Sequence, residues 1–593
     1  VLIFLFALAL IPSMALATAL GAGSAAIVGG MVAFFALISF MAGPLRRDLR
    51  LALMLAPIMT AGAVLPRLVA EASRPAGIAL AVVVVGVAAL LPLWGRHLTS
   101  AGTGLGMSSL FAFGFAPTTT TSIGQLLVAA ISGFVTAVLV RILLGLADPS
   151  KPTRAATAAL LDAKEPAVGE AFDLWLADGR PHWIGEVMSA ATRFRRAAHA
   201  AGLAAHRDDA ATQEGLNRLS ARAQELAGLV RAKDPAKVPA ATAADVATPD
   251  SDTPAYPPGL ENAARALDLV EEAARNRDRT RVPLENSERA ALREALLRPA
   301  PTLGSIHVRH AIRTALGLLV MLILTSHLEH GDPLIPTTLM TTFGILQASW
   351  AATLDKARPR IIGLLFGSLG VWLLLVIVPQ PLLTPISAAA LLLGLGFVTS
   401  RPALGYAFMV LVSVGLNSAT RHLDPYPLLG EYAVLIALSV LVGVVGGFTV
   451  IPSLRTAPLA QRVEEARGAA VQLLHALAAG QVRGKAHILG LQREALHAQL
   501  GLVPDHESLT DEQAADLETL RVALRDLGAL ATSAHLSSPV LTRAATCLTR
   551  ASDVAAPASA LEGKDAESLD ALTLVSLAEE AHAAHGRLLA ELG

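Results

Sequence analysis

Two arginines stand where a charge is costly. Arg313 lies about one turn inside a long apolar run, and Arg360 opens another. A guanidinium so placed either reaches back to headgroups and lipid phosphate or meets an anion in a cavity. Its planar fork matches a carboxylate, so the ligand this pair points to is a small organic acid. Between them come Thr337, Thr338, Thr341, Thr342 and Gln347. Their groups either bond back onto their own helix or form a polar stripe along a path. The run Thr118–Thr121 poses the same choice, and Gln125 and Asn417 either bridge helices or touch a ligand. Glu431 opens the last apolar run. It is exposed at the interface, pairs with a base, or carries protons, which makes it the proton-coupling candidate. Gly363, Gly367 and Gly370 fall near one helix face, where small residues let helices approach closely.

Other chemistries find little support. Gly480-Gln481-Val482-Arg483-Gly484-Lys485 has the wrong spacing for a phosphate-binding loop and no strand before it, so no nucleotide cofactor is expected. No zinc-protease pair and no nucleophile elbow is present, and no enzymatic activity is expected. His327 and His330 suit a polar loop before Gly331-Asp332-Pro333 better than a metal. Cys547 is the one cysteine, so no disulfide forms within the chain; it reads as a small core residue. A net charge of −1 gives no footprint for nucleic acid.

The elements that must position these residues are membrane helices. The 593 residues are 53% hydrophobic and 16% charged, against about 25% charged in soluble domains. Mean hydropathy is +0.54. Charges avoid 1–145 and 305–455 and crowd into 146–304 and 456–593, giving four blocks. A span needs roughly 20 apolar residues, and lipid admits helices or closed barrels. The aliphatic runs lack a barrel's alternation. Helical spans are expected at 1–19, 21–42, 50–70, 76–94, 102–116 and 122–145, then at 310–328, 333–352, 361–379, 383–399, 403–419 and 429–451. The opening run has no basic leader and reads as a span. Basic residues in short loops set the orientation. One side collects Arg46, Arg47, Arg50, Arg96, Arg141, Lys151, Arg154, Arg309, Arg313, Lys356, Arg358, Arg360, Arg401 and Arg455, and the other Arg67, Arg74 and Arg421. Both hydrophilic blocks are therefore expected in the cytoplasm. Ile123-Gly124-Gln125 aligns with Leu429-Gly430-Glu431, and the basic turn 44–50 answers 355–360, as in a parallel repeat. Such repeats commonly place a path at their interface.

The hydrophilic blocks read as amphipathic helices, interrupted by the low-complexity, proline-rich linker 232–259. Helices resume over 260–298, and Thr510 is an N-cap candidate for the helix after it. The expected fold is all-α: two six-helix membrane repeats, each followed by a helical bundle.

The segment 309–370 carries a resemblance. An Arg-rich first helix (Arg309, Arg313) precedes a Thr-containing second helix (Thr337 to Trp350). A basic turn then enters an Arg-x-x-Gly-x-x-x-Gly helix (Arg360, Gly363, Gly367), and 431–452 supplies small positions at Gly443, Gly446 and Gly447. This resembles the fusaric-acid-resistance and aromatic-acid-exporter family of bacterial inner-membrane proteins. Leu364 stands where that family usually has Thr, and Ile436 where it often has Arg. The first block matches in layout and poorly in motif. The resemblance implies proton-driven efflux of small organic acids, aromatic carboxylates foremost, with an organic-anion channel or a non-transporting membrane scaffold as the alternatives. Arg313, Arg360, Thr337, Thr338 and Gln347 would be substrate-binding, with membrane lipid around them. A homo-oligomer and a periplasmic adaptor are the partners it leaves open.

Overall fold

The computed structural model describes residues 2–41, 43–95, 98–115, 121–163, 168–204, 210–238, 260–285, 306–328, 332–347, 350–379, 382–449, 457–480, 484–504, 509–533, 536–550 and 566–592. Most of the linker 239–259, Thr118–Thr120, His330, Pro299 and Pro301 lie outside them. Among the described residues every regular element is a helix, and one isolated antiparallel bridge joins Pro181 and Arg281. The helices sort into two compact units, each drawn from two stretches of chain: Val1–Ala147 with Pro299–Arg455, and Asp148–Arg298 with Thr456–Gly593.

The apolar unit begins with α1 (Leu2–Ala19), α2 (Ala26–Ser39), α3 (Leu45–Ala72), α4 (Arg74–Leu90), α5 (Thr99–Gly114) and α6 (Ile123–Leu146). After α7 (Lys151–Asp162), α8 (Val168–Ala177), α9 (His182–Ala204), α10 (Ala210–Arg231) and α11 (Glu261–Asn276) of the polar unit, it resumes with α12 (Ile306–Thr325), α13 (Ile335–Ile345), α14 (Trp350–Ile377) and α15 (Leu383–Phe397). Next, α16 (Pro402–Leu411) runs through a π-turn at Val412–Leu416 into α17 (Asn417–Arg421), and α18 (Pro425–Thr449) closes the block. Seven helices among the described residues are long and apolar enough to cross a membrane, by length and composition: Leu45–Ala72, Arg74–Trp94, Ile123–Leu146, His307–Thr325, Thr353–Ile377, Pro402–Ala419 and Pro425–Gly446. Ile3–Ala19, Gly23–Ser39 and Leu383–Phe397 are shorter apolar helices.

Several helix ends differ from the sequence expectation. The single span expected at 333–352 ends early, at Ile345, and the basic stretch 355–360 is no loop but lies within α14. Lys, Ala and Arg are strong helix formers, and continuing the helix keeps the backbone bonded. Pro359 is accommodated inside α14. Likewise α3 starts at Leu45 and takes in the arginines expected in a loop. In the polar unit α11 stops at Asn276, where Arg277 turns left-handed, with φ 46°, and residues 286–298 of the expected helices lie outside the described residues.

Within the apolar unit α2 lies on α6 so closely that a Cβ at Gly133 would strike the Gly29 carbonyl. A buried ion pair fixes the same corner. Asp48, on the first turn of α3, is 2% exposed, and Arg141 of α6 is 6% exposed. Arg141 donates to the Asp48 carboxylate from Nε at 2.8 Å, and its Nη2 lies 2.7 Å from the same oxygen. It also donates to the carbonyls of Phe40 at 3.2 Å and Gly43 at 2.9 Å, and the Gly43 amide donates to Asp48 at 3.3 Å. Three backbone groups between α2 and α3, the carbonyls of Phe40 and Gly43 and the Gly43 amide, are thereby satisfied.

The polar unit holds two bundles. Trp175, Trp183, Ile184, Leu219 and Leu267 core the first, where α9 packs on α11 and α7 on α10. The second comprises α19 (Leu459–Ala478), α20 (Gly484–Leu500), α21 (Asp511–Ser533), α22 (Ser538–Thr549) and α23 (Ala566–Leu592). Leu520, Leu527, Leu574 and Leu588 core it, with Cys547 buried beside them. Thr510 caps α21 as the sequence suggests: its Oγ1 accepts from the Gln513 amide at 3.2 Å, and its own amide donates to the Gln513 side chain at 2.9 Å. The bundles meet through α9 and α23, where Asp570 feels the charge of Arg196.

Two outcomes are expected. Arg141→Ala strands a buried carboxylate, which costs about 3–5 kcal/mol, whereas Asp48→Leu with Arg141→Leu recovers much of that loss. Thermal melting of the detergent-solubilised chain reads both. In the second bundle, burial holds the His585 imidazole below its ordinary value, against the pull of Glu464 at 2.8 Å. The unfolded chain therefore protonates His585 first, and stability is lost as pH falls through about 6.5. Burial also raises Glu464, but its bonds to His585 and Arg467 outweigh this and leave its pKa depressed. Its contribution is present above the usual carboxylate range and goes only at lower pH. Melting followed from about pH 8 to 5 should show the first loss, and His585→Leu should remove it.

Candidate functional site

The site is built where the chain leaves α13 and enters α14. Leu346 still donates to the Thr342 carbonyl at 3.1 Å, but Gln347 is no longer helical. Its amide donates to Thr353 Oγ1 at 3.3 Å, and its side chain donates to the carbonyls of Gly344 and Leu346, both at 3.1 Å. These bonds take up the orphan groups that a broken helix exposes. The His310 ring reaches the Gln347 backbone, and Thr314 Oγ1 lies 3.4 Å from His310 Nδ1. One turn on, Gly317 leaves so little room that a Cβ would stand 2.7 Å from Leu346 Cδ1.

Arg360 completes the cluster. Its guanidinium lies 4.8 Å from the centroid of the Tyr406 ring, and Nη1 donates weakly to the Lys356 carbonyl at 3.4 Å. A Cβ on Gly344 would come within 2.6 Å of its Nη2, so the side chain rests directly on the break. No carboxylate meets Arg360 among the described residues. Arg313 lies on α12 between His310 and Gly317, is 7% exposed, and its charge is felt by His310. The structure thus gathers Arg313, Arg360 and Gln347, together with His310 and Thr353, at one end of α13.

The other expected residues lie elsewhere. Thr338 is buried, and its hydroxyl donates to the Leu334 carbonyl at 2.8 Å, the back-bonded alternative; Thr342 repeats this onto Thr338 at 3.0 Å. Thr337 is half-buried, toward the far end of α13 from Gln347. Ser439 touches the Thr338 carbonyl at 3.4 Å and Gly443 abuts Ile345, so α18 runs alongside α13. Glu431, two turns before Ser439, therefore lies at the end opposite the break. Gly363 and Gly367 press on α16: their Cβ atoms would lie 2.6 Å from Tyr406 Cβ and Val410 Cγ2. Gly370 has nothing within 4 Å and is not part of that contact.

Several features were not foreseen in the sequence, which singled out Asn417 alone among them. Tyr432 is 6% exposed and its hydroxyl bonds Ser413, inside the π-turn. Asn417 Nδ2 donates to the Ser413 carbonyl at 2.6 Å, and Ser387 Oγ donates to the Leu411 carbonyl at 3.4 Å. A usable signal existed: of four tyrosines in the chain, Tyr406, Tyr426 and Tyr432 fall in this short stretch. The seam between the two apolar stretches, by contrast, has an apolar cluster. Ile78, Ala81, Val85 and Leu110 meet Leu318, Met321, Leu322 and Leu339 there. A groove of about 470 Å³ between α3 and α6, lined by Ala56, Pro57, Val64, Leu127 and Ile131, is also nearly all apolar and offers an anion nothing.

Residues 316–450 match the family described as fusaric acid resistance protein-like, so the expected resemblance is borne out over that segment. No curated protein and no solved structure matches the chain. The matched segment contains Gln347, Thr353, Arg360, Tyr406 and Tyr432. With the seven long apolar helices, the match indicates a multi-pass membrane protein of transporter type.

The glycine geometry gives a contrast to measure. Gly363→Val overpacks α14 against α16 and should cost about 1–3 kcal/mol, while Gly370→Val should leave melting of the solubilised chain nearly unchanged.

Proposed function

We propose that the protein exports small organic acids, aromatic carboxylates foremost, across the bacterial inner membrane. The observation that carries this reading is Arg360, a guanidinium that meets no carboxylate among the described residues, held at a helix break inside the matched segment. Arg313 and Arg360 would draw the anion to the inner mouth, and Gln347 would offer it a neutral donor. Thr337 and Thr338 keep a supporting role in this reading, Thr337 as the less buried of the two. The chain is read as a transporter without an enzymatic step or a cofactor of its own. Membrane lipid surrounds it, and a homo-oligomer or a periplasmic adaptor would complete its route.

The finer layout belongs to the same proposal. The apolar stretches are two six-helix repeats in parallel, and both bundles lie in the cytoplasm. The basic residues gathered in the inner turns support the orientation. Helix ends support the repeat. In the register that sets Ile123 on Leu429, α1 and α12 end on the paired residues Ala19 and Thr325, and α2 and α13 on Ser39 and Ile345. Helices α3 and α14 are both 28 residues long.

The proton gradient is the proposed driving force, with Glu431 as the exchanging group. Its separation from the Arg360 cluster favours, as a second reading, an organic-anion channel that follows the membrane potential. Purified full-length protein in liposomes loaded with 4-hydroxybenzoate separates the two. An exporter releases the probe faster when a pH gradient is imposed at clamped potential, and a channel responds to potential alone. Cells lacking the protein should become sensitive to fusaric acid or hydroxybenzoates, and Arg313→Ala should reproduce part of that loss. Unchanged tolerance together with unchanged internal substrate would sink the exporter reading for those compounds.

A further inference from the structure

The two apolar stretches differ sharply at paired positions. In the register of Ile123 on Leu429, the cluster residues His310, Arg313, Gln347 and Arg360 fall on Phe4, Ala7, Met41 and Met54. Ser413, Asn417 and Tyr432 fall on Met107, Phe111 and Leu126. These counterparts are apolar, whereas Thr353 and Tyr406 fall on Arg47 and Ser100. The reverse holds at the buried ion pair: Asp48 and Arg141 fall on Leu354 and Gly447. At this corner the first stretch sets Asp48 and Arg141 against each other, while the second keeps Arg360 clear of any described carboxylate.

The polar groups of the second stretch are also contiguous. Arg360 lies on the Tyr406 ring and within electrostatic reach of Tyr432. Tyr432 bonds Ser413, and Asn417 bonds the Ser413 carbonyl. Between them the helix loosens into the π-turn Val412–Leu416, a local irregularity that in helices often marks a functional site. From Tyr406 to Asn417 this series climbs about 16 Å along the helix, roughly half the apolar thickness of a bilayer. The seam between the stretches has an apolar cluster at its core, with Ser108 and Ser109 buried on α5 beside it and no bonded polar series like this one among the described residues.

We infer that the anion path runs inside the second stretch, from Gln347 and Arg360 past Tyr406, Tyr432 and Ser413 to Asn417, and that the first stretch is a closed scaffold locked by Asp48 and Arg141. This rests on the transport reading and locates its path away from the interface where repeats usually carry one. An organic carboxylate would pair with Arg360 and then pass hydroxyl and amide donors held by α16, α17 and α18.

Cysteine accessibility tests the path without any transported substrate. In full-length protein with Cys547→Ala, reconstituted in liposomes, S413C and N417C are compared with F111C, whose position is paired with Asn417 and likewise half-buried. Met107, paired with Ser413, is left out because its Cε lies 3.6 Å from where a Gly344 Cβ would stand, beside Arg360. The probe is the anionic thiol reagent 2-sulfonatoethyl methanethiosulfonate, with its trimethylammonium analogue as the cationic control. The second-stretch cysteines should react with the anionic reagent about tenfold faster than F111C, and Arg360→Gln should reduce that preference severalfold. N417C provides an independent reading if S413C does not fold, as judged by its melting profile. Equal rates at the paired positions 417 and 111, or no reaction at 413 and 417 in folded protein, would overturn the inference. Reactive cysteines without 4-hydroxybenzoate release would instead remove the exporter reading and leave the path standing. Release with unreactive cysteines would do the opposite.

Discussion

A guanidinium in lipid must be answered by an anion, by dipoles, or by a ring face, because several kcal/mol attach to leaving it unanswered. This chain answers it in two ways. Arg141 is closed in by a carboxylate and two carbonyls, all supplied by the corner between α2 and α3. Arg360 is held by a tyrosine ring and a distant carbonyl, against a helix break. The first arrangement is complete in itself. The second holds a charge in place and leaves part of its bonding capacity unused.

The broken helix follows from the same accounting of polar groups. A backbone interruption at membrane depth is tolerated where protein groups take up its amides and carbonyls. Gln347 and Thr353 do that between α13 and α14, as Asp48 and Arg141 do between α2 and α3. Closely packed glycines then hold the frame around each break. Gly29 and Gly133 bring α2 onto α6, and Gly363 and Gly367 bring α14 onto α16. Rigid packing and bonded breaks together fix the positions of the arginines.

Much of this could be read from residues in order. Long aliphatic runs revealed the helices, and the Arg, Thr and Gly pattern of 309–370 carried a family resemblance that the match over 316–450 supports. Helix ends were misjudged where basic residues lie in a helix rather than a loop, since Lys and Arg suit both an interfacial turn and a helical one. The pairing of Asp48 with Arg141 joins residues far apart in the chain, and no local pattern announces it. Tyr406, Tyr432 and Ser413 drew no attention because each is unremarkable alone and gains meaning from its neighbours across α14, α16 and α18. The grouping of like blocks was half legible: the repeat pairs the first apolar block with the third, and only contacts show that the second joins the fourth.

That interleaving has a bearing on how the molecule is made. Helix α9 leaves the ribosome long before α23, and an entire set of apolar helices is synthesised between them. Until α23 emerges, the surface of α9 that it covers, with Arg196 on it, has no native cover. Each new chain therefore passes through a stage in which half of its polar unit waits for the other half, open to chaperones and proteases. Export of the chain into lipid and completion of its hydrophilic half are bound into a single order of events by the way the gene is read.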